Sequence, residues 1–183
     1  MRLVRLAFPL VALAGLVSCG DPVPPTPQAA FFVNFSDTGA SCPQGSHQSE
    51  LGVVSAIART GVVVDGTNNT QIRCTVSGSG TFKIDARATQ VDSLTLNVPS
   101  ISPTATQAAP ATGNVAFLSA ETAGNQYSAP SETPCQFWFQ QGTPQSVDAG
   151  KVWLTFQCPQ VIDGNGNQCR ITESFALFEN CSQ

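Results

Sequence analysis

Charge and histidine are what this sequence has least of. Lys, Arg, Asp and Glu together make up 11% of its 183 residues, and His47 is the single histidine. Few cations exclude the basic patch that nucleic-acid phosphates require. One histidine and no CxxC pair leave no ligand set for zinc. No GxSxG elbow offers a nucleophile, and no glycine-rich loop has the spacing that cradles a phosphate. His47 lies between Ser46 and Ser49, with Glu50 nearby. A catalytic triad needs a nucleophile held against the imidazole and an oriented third group, so an isolated histidine among serines reads as a surface residue. Twelve scattered Asp and Glu residues define no facing pair of the kind glycoside hydrolysis uses. The chain presents no cofactor motif and no catalytic constellation.

A long membrane-spanning run is also missing. From Leu6 to Val17 the chain is apolar for twelve residues, interrupted by Pro9, whereas a spanning helix needs roughly 20. With Arg2 and Arg5 before it and small residues after it, this run has the pattern of a secretory signal peptide over residues 1–18. Its end, Leu16-Val17-Ser18-Cys19, resembles the lipobox of bacterial lipoproteins. That resemblance implies cleavage before Cys19 and a lipid on its sulfur, so the membrane itself is the first expected partner. Attachment by two or more acyl chains is effectively stable, where one chain is marginal. Gly20 stands where an Asp retains some lipoproteins in the inner membrane, which favours the outer membrane, on its periplasmic or surface face. Residues 20–30, GDPVPPTPQAA, hold four prolines and read as an extended linker of roughly 30 Å ahead of a domain over 31–183.

Setting Cys19 aside leaves Cys42, Cys74, Cys135, Cys158, Cys169 and Cys181. In an exported domain, six cysteines are most simply three disulfides. Spacing and strand parity suggest Cys158–Cys169, closing the turn-rich PQVIDGNGNQ segment with a stabilisation of about 3 kcal/mol. Cys135–Cys181 follows on parity, and Cys42–Cys74 by remainder.

What is abundant is period-two alternation. Phe82, Ile84, Ala86 and Ala88 share one face of TFKIDARA, while Lys83, Asp85 and Arg87 share the other. Leu94, Leu96 and Val98 alternate with polar residues, as do Ile72, Cys74 and Val76, with SGSG at 77–80 as a hairpin loop. Such patterns mark half-buried antiparallel strands. Further runs at 31–35, 47–54, 61–64, 115–119, 136–140, 151–158 and 169–178 bring the total to about nine or ten. They argue for an all-β fold, a single antiparallel β-sandwich or jelly-roll-like domain. ELGVVSAIART leaves a short helix open as an alternative, and residues 99–113 read as an exposed low-complexity loop.

Two further features bear on binding. Asp163, Asn165 and Asn167 match the first alternating ligands of a calcium loop, but Gln168 replaces its glycine and Ser174 its glutamate. Asp-Gly and Asn-Gly are also hairpin formers, so the segment reads as a turn and any calcium binding there as weak. Trp138, Trp153 and Phe178 fall on the parity opposite to the residues taken as core. Either they form an exposed aromatic patch suited to a glycan or an envelope protein, or the AFFVNF segment or a loop covers them as a satellite core.

The stretches GSGTFKIDA, TPCQFWF, KVWLTFQC and FALFENC resemble small cysteine-containing secreted lipoproteins of environmental bacteria, a group without an assigned activity. The resemblance implies a β-rich domain and brings no functional residue with it. The resulting expectation is a non-enzymatic, lipid-anchored envelope protein that presents a disulfide-stapled β-domain for binding or structural interaction. The alternative is a carbohydrate-binding module, or a glycan-acting hydrolase, working through the aromatic patch.

Overall fold

A computed structural model describes residues 24–37 and 41–183. Cys19 and the signal segment lie outside the described residues. The described chain forms twelve strands: β1 (Gln28–Ser36), β2 (His47–Leu51), β3 (Val63–Val64), β4 (Gln71–Ser79), β5 (Thr81–Thr89), β6 (Ser93–Ile101), β7 (Ala111–Leu118), β8 (Tyr127–Ser128), β9 (Cys135–Trp138), β10 (Ser146–Asp148), β11 (Lys151–Ile162) and β12 (Gln168–Glu179). Two single turns of 3₁₀ helix, at Thr67–Asn69 and Ala120–Thr122, complete the regular structure. The fold is all-β, as the alternation predicts. Strand β1 starts three residues ahead of the boundary read from composition, with Ala29 and Ala30 already buried.

All twelve strands belong to one antiparallel sheet, ordered β2-β1-β12-β11-β8-β7-β6-β5-β4, with β3 pairing with β1, β10 with β11, and β9 with both β11 and β7. The sheet curls into a sandwich-like shape whose inner faces enclose one core. Its β4 edge meets the C-terminal segment and the β10–β11 turn: Val76 N donates to Ser182 O at 2.9 Å, and Gly150 N donates to Val76 O at 2.8 Å. Covering that edge removes a row of unpaired backbone groups that would otherwise template aggregation. The hairpin between β4 and β5 turns at Gly80, and its strands run closer to the tip than a four-residue SGSG loop would allow, pairing Ser79 with Thr81. Likewise the 99–113 loop is shorter than its composition suggests, because β6 continues to Ile101 and β7 begins at Ala111.

Inward positions follow the expected parity in β5, where Phe82, Ile84, Ala86 and Ala88 are buried and Lys83, Asp85 and Arg87 are exposed. In β11 and β12 the parity breaks. Phe156 pairs with Ser174 but Cys158 pairs with Ile171, so β12 carries an extra residue between them. Beyond it β11 carries the extra residue, since Cys158 faces Ile171 and Val161 faces Cys169. That second bulge spans Pro159, which has no N–H to give a ladder. Each bulge shifts the side-chain phase by one.

The cysteines pair as three disulfides, but not in the arrangement read from spacing. They are Cys42–Cys169, Cys74–Cys181 and Cys135–Cys158. Strand β9 lies beside β11, with Gln136 opposite Gln157, which sets Cys135 next to Cys158. Cys158–Cys169 fails because Cys158 sits opposite Ile171, two positions along the strand from Cys169. Cys74–Cys181 fastens the C-terminal segment to β4, and Cys42–Cys169 ties the connection after β1 to the start of β12. These pairings depend on strand neighbours that are distant in sequence, so local spacing does not encode them.

Candidate binding surface

The aromatic residues expected on an outer patch are buried. Trp138 is 2% exposed, Trp153 3% and Phe178 0%. Phe178 belongs to the main core, because the β12 bulge reverses its parity and turns Phe175 and Leu177 outward instead. Trp153 does lie on the outer face of the sheet, where it packs with Ala30, Val54 and Leu177, and Phe32, Val62 and Phe175 complete the cluster. Residues 52–61 fold over it as a flap. The indole Nε1 donates to Ser55 O at 3.1 Å, and the Arg59 guanidinium lies 5.9 Å from the ring centre. Gly52 makes the sharp entry to this flap at φ +66°, and a Cβ there would lie 1.9 Å from Gly61 O. Trp138 lies opposite Thr155 across the strand pair, beneath a narrow cleft bordered by Thr106, Gln107, Ala108 and Gln141. The satellite-core reading therefore describes Trp153, while Trp138 lies almost wholly buried in the wall of its cleft.

The DGNGNQ segment is a turn organised by Asp163. Its Oδ1 accepts from the backbone N–H groups of Asn165 and Asn167, both at 2.9 Å, and its Oδ2 accepts from the Asn167 side-chain amide at 2.9 Å. Burial raises the Asp163 carboxyl, but these hydrogen bonds from Asn167 and Asn165 outweigh it and hold the group below the usual aspartate range. With its lone pairs already engaged by N–H donors, the carboxylate is committed to the turn. Among the described residues no group of three His, Cys, Asp or Glu side chains is placed to hold a metal ion. Nearby, burial first and the Asp163 charge second push the Tyr127 phenol up.

His47 is half-buried at the surface, with its ring packed on aromatic neighbours. Its ring lies 4.9 Å from that of Phe35 and stacks on Phe117 at 6.3 Å. Nδ1 faces Gly45 O at 2.9 Å and so carries the proton, which leaves Nε2 to accept from the Ser119 hydroxyl at 2.9 Å. Ser119 is only 1% exposed, and the group orienting the imidazole is a backbone carbonyl rather than a carboxylate. The pair ties β2 to the end of β7.

The sheet's polar outer face over β4, β5 and β6 is different. Arg73 stands directly opposite Arg87, Thr75 opposite Asp85, Ser77 opposite Lys83 and Gln71 opposite Thr89. On the other side of β5, Arg87 faces Thr95 and Asp85 faces Asn97. Gln71, Arg73, Thr75, Asp85, Arg87, Thr89 and Thr95 border a groove of about 530 Å³. Three of the six cations that follow the signal segment thus gather on one face of an otherwise acidic chain. The ion pairs among the described residues are Arg59–Glu179 and Lys151–Glu179, so none of the three has a carboxylate within salt-bridge reach. Arg87 Nε donates to Thr89 Oγ1 at 3.2 Å. Like charges directly opposite on a sheet cost stability, and Asp85 on the same face offsets them in part. Alternation alone already places Lys83, Asp85 and Arg87 together, and folding the hairpin about Gly80 is what adds Arg73 opposite Arg87. Comparison with protein-family models, curated proteins and solved structures found no match to this chain, so the surface is read from its own geometry.

Proposed function

We propose that the chain is a lipid-anchored, non-enzymatic cell-envelope protein whose disulfide-stapled β-domain is displayed for binding through the polar face of β4–β6. One observation carries the reading. The six cysteines after Cys19 are consumed by three disulfides, which suits an oxidising compartment and leaves Cys19 as the odd one of seven. Its place after Leu16-Val17-Ser18 fits an acylation site, and Gly20, where an Asp retains some lipoproteins in the inner membrane, favours the outer membrane. The prolines at 24, 25 and 27 then favour an extended approach to β1. A glycan-stacking role for Trp138, Trp153 and Phe178 has no exposed ring to support it.

Membrane fractionation of a Cys19→Ser chain tests the anchor. The wild-type chain is expected in the membrane fraction, released only by detergent. Its variant is expected in the soluble fraction with its three disulfides formed. A variant that stays in the membrane would refute lipid attachment at Cys19.

A further inference from the structure

We infer that the Arg73–Arg87 face binds the carboxylate groups of an acidic polysaccharide, an assignment that rests on the display reading above and names its ligand class. The cations supply the first reason. Two arginines at directly opposite register positions carry like charges that repel unless an anion is shared between them, and a planar guanidinium pairs with a carboxylate through two parallel hydrogen bonds. Lys83 lies four residues along β5 from Arg87, roughly 13 Å at strand rise. One extended polymer bearing repeated carboxylates can therefore engage both ends of the face.

Polar residues between the cations supply the second reason. Gln71, Thr75, Thr89, Thr95 and Asn97 present hydroxyl and amide groups in rows along three adjacent strands. Asp85, in the middle, is an acceptor only. Sugar hydroxyls are both donors and acceptors and satisfy such a surface. A layer of lipid phosphates brings acceptors alone and leaves Asp85 without a donor. It would also gain only about 1 kcal/mol per cation against the negative charge of the rest of the chain. Uronic-acid polymers match both the charge and the hydroxyl pattern, and neutral polymers match only the second.

The test uses the Cys19→Ser chain, which lacks the acyl anchor and needs no detergent, with polygalacturonate as probe, dextran as neutral control and phosphatidylglycerol vesicles as the lipid arm. Binding to polygalacturonate and not to dextran is expected, weakening as salt is raised. Arg73→Gln and Arg87→Gln should each weaken it about ten-fold, the scale of one charge-assisted hydrogen bond, and the double variant should abolish it. Arg170→Gln, a cation on β12, should leave it unchanged. Because the substituted side chains are exposed, retention of all three disulfides in non-reducing peptide maps verifies folding. No binding to polygalacturonate, equal binding by the double variant, or vesicle binding through these arginines without polygalacturonate binding would each overturn the assignment. Fractionation reads the anchor and polymer binding reads the face, so failure of one is visible apart from failure of the other.

Discussion

Replacing Trp153 by alanine tests whether the outer aromatic cluster is a satellite core. The indole is 3% exposed, packs with Ala30, Val54 and Leu177, and donates to Ser55 O at 3.1 Å. Truncating a buried tryptophan to alanine costs about 3–5 kcal/mol through lost burial and the cavity left behind. Within that, the hydrogen bond contributes about 1 kcal/mol, and the Arg59 contact about 0.5–1 kcal/mol for a partly exposed pair. Trp153→Phe keeps most of the volume, so its cost is about 1–2 kcal/mol from these polar terms. Urea unfolding measures both. The flap supplies a second readout, because Arg59 is a tryptic site held by backbone bonds, including Thr60 N to Val53 O at 3.1 Å. With its anchor removed, trypsin should clip Trp153→Ala at Arg59 while the other arginines of the folded sheet survive. A cost below about 1 kcal/mol, with Arg59 still protected, would refute the packing of the flap on Trp153.

Two other perturbations report on local structure. Gly78→Ala should destabilise by more than about 1 kcal/mol in urea unfolding, because φ there is +140° and a Cβ would lie 2.1 Å from Thr81 O. An unchanged midpoint would contradict the tight hairpin. At Asp163 the folded carboxyl is held below its ordinary range. Its stabilisation is therefore complete above the usual aspartate pKa of about 3.9 and fades as pH falls through the lower folded value. Asp163→Asn should be less stable at neutral pH and lack this part of the acid sensitivity, as followed by thermal melting from neutral pH downward. Parallel stability–pH curves for the two chains would count against it.

Much of the fold was legible in the sequence because half-buried strands have a period of two. The β5 pattern, the β4–β5 hairpin and the alternation of β6 follow directly from it. Strands β8 and β10 were not legible: with two and three residues they are too short to alternate. The larger errors come from the bulges of β11 and β12. Parity carried across the bulge after Ile171 puts Leu177 in the main core and Phe178 outside, whereas the structure does the reverse. Disulfide partners were illegible for a related reason. Pairing of β9 with β11, and of the C-terminal segment with β4, is set by long-range topology rather than by spacing. The polar face was half visible, since Lys83, Asp85 and Arg87 alternate on one strand, and Arg73 joins them only through the hairpin register.

Intact-mass measurement of the mature protein, purified from membranes without reducing agent, tests the central claim most directly. The expected species starts at Cys19, carries the mass of a diacylglycerol and a further acyl group, and has six hydrogens fewer than its reduced form. A mature chain that starts elsewhere, lacks the lipid mass or contains free thiols would contradict that claim.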